Sequence, residues 1–331
     1  MRIPAAAAPL FFILCCCQSF TEHSGPPRAG LVIIDAHSLE ILGTLDGIPG
    51  GRALCAGRDG GFYVASTTGT LYRGNSYSMT LDTSFVIGPG GSAGYGSMAY
   101  IPWKKSLYVI GATGTLLEVN TTNFTVAAEV AAGGSPTYMV PSRTSDYLFV
   151  TDPLNNRVHT VNTSTNQMVR TFQLGDSPTV MACNAWGNDT LLVSTSDPVG
   201  TAYVQPWQQG SPARRVTLES ASDMVQCRRS RLFFAAHPRH GQSAGRVSVI
   251  DSLFPRFSVR ETLVVPGNPH HLATHGDSLW FFVLSTGDIG ECNIFSFRED
   301  DGRYLLNNSL ELRGYPADMI IADDRLIVLT Y

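Results

Sequence analysis

The sequence has little charge of either sign and almost no lysine. Charged residues make up 15 % of its 331 residues, against about 25 % in typical soluble proteins. Lys104 and Lys105 are the only lysines. Apolar residues still account for 44 %, which is enough to bury a core, so wholesale disorder is not expected. The net charge of −4 argues against a nucleic-acid binder, which needs a basic stripe.

Several motifs that mark particular chemistries are also missing. The sequence shows no helical periodicity and therefore no phosphate-binding glycine loop that opens a helix. G-x-S-x-G runs occur at residues 90–94 and 241–245, but neither precedes a helical pattern, which a nucleophile elbow requires. No pair of cysteines has the C-x-x-C spacing of a metal site. We expect the cysteines beyond the N-terminal segment to be single buried thiols. Cys183 and Cys227 are the first pair to test for a disulfide, because both end equivalent strands.

The N-terminal segment predicts export. Residues 1–17 combine a minimal positive start with an apolar run of signal-peptide length, and residues 18–30 have the polar, Pro- and Gly-rich composition of a tether. The apolar run ends in Leu14 and three cysteines, which resembles a bacterial lipoprotein signal with Cys17 as the lipidated residue. An ordinary signal peptide is the alternative. We expect an exported protein, either a lipid-anchored lipoprotein of the cell envelope or a periplasmic or secreted protein.

A repeat runs through the rest of the chain. The segment 135–139 (SPTYM) recurs at 177–181 (SPTVM), and looser copies bring the number to seven. From Pro49 to Pro316 the copies are spaced by about 44 residues on average. Each copy is followed by a run of β-branched and aromatic residues, an alternating run such as Arg157–Asn162, a polar turn and a fourth short apolar run.

Four strands per repeat and seven repeats predict an all-β, seven-bladed β-propeller with four-stranded blades. The length alone suggests about two domains, but seven such repeats fill residues 31–331 as a single domain. The pattern begins with a third strand at 31–35 and ends with a second strand at 325–329. We therefore expect the closing blade to be shared by N- and C-terminal strands, which removes the open sheet edge. Asn and Thr in the turns between third and fourth strands are expected to serve turn chemistry.

The repeat resembles that of the YVTN/YncE-like propeller family. Residues 148–152 (LFVTD), the alternating strand 158–162, the segment 165–174 and the Gly175-Asp176-Ser177-Pro178 junction follow the order of the family repeat. The resemblance implies a seven-bladed propeller. It implies no particular activity, because the family shares none.

Polar residues at the innermost strands form the candidate site. Three consecutive repeats place Asp or His at the same strand position, and further histidines lie nearby on what we call the upper face, the loops before the first and after the second strand of each repeat. The candidate ligand-binding residues are Asp223, His237, His240, His270, His271 and Asp318. Such a cluster has the donors for a divalent metal or an anionic ligand. The alternative is that these side chains hydrogen-bond the backbone of a neighbouring blade.

These observations favour a non-catalytic binding module that acts without a cofactor and carries no catalytic residues. Its expected partner is a protein, a cell-wall component or a small molecule, with no nucleic acid and no membrane contact beyond the lipid anchor. We expect a monomer. An exported, lactonase-like hydrolase or lyase that uses the His/Asp cluster is the alternative, and a structural surface protein is a third possibility. The enzyme hypothesis requires the cluster to converge in one pocket.

Overall fold

The computed structural model of the chain describes residues 30–88, 96–111, 114–142, 145–184, 190–197, 201–206, 214–227, 231–239, 241–251, 257–276, 280–287 and 291–331. The predicted signal segment 1–17 with Cys17, the tether residues 18–29 and His240 lie outside the described residues. Gly30, which the sequence pattern assigns to the tether, instead begins the first strand.

The described residues are built almost entirely from β-strands. The strands are β1 (Gly30–Asp35), β2 (Ile41–Asp46), β3 (Gly51–Ala56), β4 (Gly61–Ser66), β5 (Thr70–Asn75), β6 (Thr80–Val86), β7 (Met98–Ile101), β8 (Ser106–Ile110), β9 (Thr115–Asn120), β10 (Thr125–Ala131), β11 (Met139–Pro141), β12 (Tyr147–Asp152), β13 (Arg157–Asn162), β14 (Gln167–Gln173), β15 (Pro178–Cys183), β16 (Thr190–Thr195), β17 (Thr201–Pro206), β18 (Arg214–Thr217), β19 (Asp223–Gln226), β20 (Leu232–His237), β21 (Ala244–Asp251), β22 (Ser258–Pro266), β23 (Asn268–Thr274), β24 (Trp280–Thr286), β25 (Glu291–Asp300), β26 (Arg303–Arg313), β27 (Pro316–Ala322) and β28 (Arg325–Thr330). One 3₁₀ turn, Pro153–Asn155, joins β12 to β13. Within the described ranges, no helix is long and apolar enough to span a bilayer.

The strands pair into seven four-stranded antiparallel sheets. Six of them use four consecutive strands, from β3–β6 through β23–β26, and the seventh has the order β2-β1-β28-β27. The innermost strands β3, β7, β11, β15, β19, β23 and β27 each contact the next, and β27 contacts β3. The sheets therefore surround a common axis. This arrangement confirms the prediction of an all-β propeller with four-stranded antiparallel blades.

Burial explains why the chain carries so few charges. Every residue of the second strands β16 and β20 is buried, whereas the outer strands β6 and β14 expose more than half of their side chains. The core lies between adjacent sheets, where Phe234 stacks on Phe281 at 4.3 Å between ring centroids and Phe149, Leu191 and Phe233 share one cluster. Strands covered on both faces leave few positions for Lys or Glu, whose burial is costly.

The turns between third and fourth strands repeat one local device. The side-chain oxygen of Asn120 accepts hydrogen bonds from the backbone N–H groups of the second and third residues that follow it. Asn162, Asn75 and Asp35 do the same in their own sheets. Such Asx turns reverse the chain without a glycine, which confirms the expected role of Asn in these turns.

The cysteines of the described residues form no disulfide. Cys55, Cys183, Cys227 and Cys292 are single thiols, as expected, and Cys183 and Cys227, the first pair to test, are not joined. Burial raises the pKa of both Cys55 and Cys292 to about 12. Because the thiolate is the reactive form, these two side chains are chemically quiet at neutral pH.

The closing sheet joins the two ends of the described chain. Strand β28 pairs with β1 on one side, from Gly30 opposite Thr330 to Asp35 opposite Arg325, and with β27 on the other. All of the apolar side chains of β28 are buried. Without β28, β1 and β2 would have no bonded neighbour in the ring.

Removal of β28 should therefore open the ring. We expect deletion of residues 326–331 to abolish the cooperative thermal transition of the full-length protein, measured by circular dichroism. Ile327→Ala, at a fully buried position of β28, provides a graded test and should cost about 2–5 kcal/mol of unfolding free energy. Val264→Ala on the exposed edge strand β22 is the matched control. An unchanged melting temperature after the deletion would contradict ring closure through β28.

Candidate functional site at the ring axis

Asp223 is buried at the start of the innermost strand β19 and uses both carboxylate oxygens within the protein. Oδ1 accepts the backbone N–H of Met224 at 2.6 Å. Oδ2 accepts the backbone N–H of Leu272, in the innermost strand of the next sheet, at 2.6 Å. The side chain thus joins two blades through charge-assisted bonds, which are the stronger kind.

Asp318 repeats this arrangement across the ring closure. Its Oδ1 accepts the N–H of Met319 at 2.7 Å, and its Oδ2 accepts the N–H of Leu54, in β3, at 2.6 Å. Burial is the main cause that raises the pKa of this carboxyl well above its usual value, and these two backbone bonds oppose the rise. Asp223 and Asp318 therefore both act as inter-blade clamps. This agrees with the alternative prediction that these side chains hydrogen-bond the backbone of a neighbouring blade.

His271 lies between the two clamps in the order of the ring. Its Nδ1 is 3.8 Å from Oδ1 of Asp318, but burial, helped by the neighbouring His270, lowers the pKa of His271 to about 3. At neutral pH the imidazole is therefore uncharged, and this approach is no ion pair. His270 is half-buried, and its Nε2 lies 3.0 Å from the hydroxyl of Thr286.

His237 has a partner at each ring nitrogen. Nδ1 lies 3.2 Å from the carbonyl oxygen of Ser220, and Nε2 lies 3.0 Å from the hydroxyl of Ser248. Burial lowers the pKa of this histidine. These contacts are those of a core histidine that ties β20 to its surroundings. Of the predicted set, the structure brings His271 and Asp318 within 4 Å of each other.

A cavity of about 650 Å³ lies among the innermost strands, and we call it the axial cavity. It extends from Gly96 and Tyr138, at the upper ends of the innermost strands, to the turn residues Arg58 and Asp323 at the opposite end. Half-buried apolar side chains form part of its wall, including that of Ile320. This volume lies within the range of about 300–1,000 Å³ typical of small-molecule sites.

A buried methionine recurs at the same position of several innermost strands. Met98, Met139 and Met319 line the axial cavity but are at most 6 % exposed. Met181 and Met224 at the equivalent position are also buried. Packing between innermost strands explains this repeat position.

The surface at the opposite end of the axis from the upper face carries two exposed aromatic side chains. We call it the lower face: the turns that join first to second strands and third to fourth strands. Trp103, next to the cavity-lining Pro102, is 49 % exposed, and Tyr77 is 50 % exposed with Arg325 over its ring. Arg58 and Asp323 form a charged rim at the lower end of the cavity. The sequence offered a signal for the two aromatic side chains, because large aromatic residues are unusual in short polar turns.

One of the two lysines is used in a buried network between two sheets. Lys104 Nζ lies 2.8 Å from Oε1 of Glu118. The same Oε1 accepts a hydrogen bond from the Ser106 hydroxyl, and Oε2 accepts one from the side-chain amide of Asn166 in the next sheet. Burial acts to raise the pKa of Glu118, but the bonds from Lys104, Ser106 and Asn166 outweigh it and lower the pKa. Like the two clamps, this side chain has a structural role, because it joins neighbouring sheets.

Comparisons with known proteins support the fold and leave the family open. No protein-family model and no curated protein sequence matches the chain. The solved structure of U3-55K matches with 12 % identity and a TM-score of 0.68, over 92 % of this chain and 100 % of that one. The RRP9 WD40 repeats match with 12 % identity and a TM-score of 0.67, over 91 % and 97 %. Hydrazine synthase of Kuenenia stuttgartiensis matches with 14 % identity and a TM-score of 0.67, over 84 % and 91 %. At such identities the likeness establishes the fold alone, a WD40-like β-propeller.

The buried neutral histidine makes the fold sensitive to acid. The pKa of His271 is about 3 in the folded protein and about 6.5 in an unfolded chain. Its contribution to stability is therefore complete above about pH 6.5 and is lost as pH falls towards 3. When the pH is lowered from 7.5 to 5, the unfolding free energy of the wild type should fall by about 2 kcal/mol more than that of His271→Gln. Urea titrations at the two pH values measure this difference.

The control is Val264→Ala on the exposed edge strand β22, which removes no titratable group and should keep the wild-type pH dependence of unfolding. An identical pH dependence in the wild type and in His271→Gln would show that His271 is not the buried neutral group.

Proposed function

We propose that this protein is a non-catalytic binding module whose ligand enters the axial cavity from the lower face. The observation that carries the proposal is the axial cavity itself, with apolar wall residues such as Ile320 and with the charged rim residues Arg58 and Asp323. β-Propellers often act as binding modules. A ligand with an apolar body and a polar end fits this distribution of side chains.

The contacts of the predicted upper-face residues favour binding over catalysis. A hydrolase or lyase would need carboxylates and imidazoles with atoms available to a substrate. Asp223 and Asp318 use both oxygens on backbone N–H groups, and both nitrogens of His237 lie within hydrogen-bonding distance of protein oxygens. These side chains therefore hold the ring together, and the lower end of the axis is the better candidate for a ligand site.

A protein partner on the lower face is the second candidate. The half-exposed rings of Trp103 and Tyr77 favour it, because aromatic side chains are enriched in the energetically dominant parts of protein interfaces. Such a partner would also cover the mouth of the axial cavity.

The family and the cellular setting belong to the same proposal. We propose that the seven sheets are the blades of a YVTN-like propeller, which the repeat spacing and the ring of innermost strands support. We also propose export through residues 1–17 and a lipid anchor at Cys17, which would place the module at the cell envelope. The proposed form is a monomer.

An apolar dye tests the axial cavity. We expect Nile red to bind the wild type saturably with one site and to fluoresce more strongly when bound. Ala56→Trp adds a large ring at a half-buried position of the cavity lining and should reduce the affinity at least tenfold. Val264→Trp, on the exposed edge strand β22, adds the same ring elsewhere and should bind as the wild type does. Absence of saturable binding, or equal binding by Ala56→Trp, would contradict the proposal.

The lipid anchor is tested separately in a bacterial host with a lipoprotein pathway. We expect the wild type to partition with membranes and to carry a lipid mass on its mature N-terminus, measured by intact mass spectrometry. Cys17→Ser should release the protein into the soluble exported fraction, whereas Cys15→Ser should leave both readouts unchanged. Lipid attachment that persists in Cys17→Ser would exclude Cys17 as the anchor.

A further inference from the structure

We propose that His37, His275 and Asp324 form a binding site for a divalent transition metal such as Zn²⁺ on the lower face. Each residue offers one ligand atom, and these three atoms lie within 4.8 Å of one another. Nε2 of His275 is 2.8 Å from Oδ1 of Asp324, and Nε2 of His37 is 4.0 Å from the same oxygen. Small side-chain rotations would therefore bring all three atoms onto one ion.

Two of the three turns that carry these residues are held in place by other contacts. The backbone N–H of Ala36 donates to the carbonyl oxygen of Asp324 at 3.1 Å, which ties the β1–β2 turn to the β27–β28 turn. Oδ1 of Asp35 accepts the N–H of His37 at 3.0 Å and so fixes the start of its turn. The main-chain positions of two of the three ligands are thus set before any ion binds.

The two imidazoles are also oriented. The edge of the Trp280 ring meets the His37 ring with 5.8 Å between centroids, and the His37 and His275 rings are 5.5 Å apart. His275 is mostly buried, and its Nδ1 has no hydrogen-bond partner among the described residues. Its other nitrogen, Nε2, therefore makes the one polar contact of this ring, towards Asp324.

The donor set selects the kind of metal. Two imidazole nitrogens and one carboxylate suit Zn²⁺ and its neighbours Co²⁺, Ni²⁺ and Cu²⁺, whereas Mg²⁺ and Ca²⁺ prefer oxygen ligands. The nearby guanidinium of Arg325 lies 3.5 Å from Asp35, so a basic side chain close to the site already has a carboxylate partner. Three protein ligands leave at least one coordination position of the metal open. This position would face the lower surface, because His37 and Asp324 are both exposed there.

The site would join three parts of the chain that are remote in sequence. His37 and Asp324 lie in the closing sheet, on the halves contributed by the two ends of the described chain, and His275 lies in the preceding sheet. A bound ion would therefore cross-link the closing sheet to its neighbour. Ligands that bind only the folded state stabilise it, so metal should raise the melting temperature.

The test uses full-length, tag-free protein stripped with EDTA and titrated with Zn²⁺ by calorimetry, with Co²⁺ absorption as a second readout. We expect one Zn²⁺ per chain, a higher melting temperature with metal, and the visible d–d bands of a Co²⁺–imidazole site. His275→Gln and Asp324→Asn should each lower the affinity at least tenfold and remove the thermal shift.

Two matched variants control for charge and for general histidine binding. Asp323→Asn removes the adjacent exposed carboxylate, and His270→Gln removes a histidine on the upper face, so both should bind Zn²⁺ as the wild type does. Melting curves without metal verify that each variant is folded. Wild-type binding of less than one equivalent, or affinity in His275→Gln and Asp324→Asn equal to that in the controls, would overturn the site. His275 and Asp324 also line the axial cavity. Nile red binding is therefore measured in EDTA and Zn²⁺ binding without the dye, so that the failure of the cavity and the failure of the metal site are distinguishable.

Discussion

Closure of the ring through the pairing of β1 with β28 is the constraint on which the rest of the structure depends. Each sheet buries its faces against its neighbours, so both faces of every sheet are covered only when the last sheet packs against the first. The six residue pairs between β1 and β28 complete a sheet whose halves come from opposite ends of the described chain. The buried second strands, the stacked phenylalanines and the cavity on the axis all require a complete circle of neighbours.

Buried carboxylates add a second level of connection. Asp223 and Asp318 each bridge from one innermost strand to the next through backbone N–H groups, and Glu118 gathers partners from two sheets. In an otherwise apolar core such polar contacts fix the relative height of neighbouring blades, because removal of one partner leaves a buried group without its bond. Three of the few acidic residues of the sequence thus join neighbouring blades.

The sequence predicted the strands far better than the site. Repeat spacing located the strands and the shared closing sheet, since period-two alternation and turn residues are local signals. The repeat position also located Asp223 and Asp318, but their backbone partners lie about 50 and 260 residues away in sequence and no local pattern reveals them. His37, His275 and Asp324 were missed for the same reason, because three different turns meet only once the ring is closed. Trp103 and Tyr77 were visible as aromatic residues in turns, yet their exposure at the lower face was not.

The shared closing sheet has a consequence for the order of folding. The carbonyl of Gly30 and the hydroxyl of Thr330 are hydrogen-bonded although they are 300 residues apart, and contacts of such separation form slowly. During synthesis β1 waits for its partner until almost the whole described chain has been made. The closing sheet is therefore the last part of the ring that can assemble.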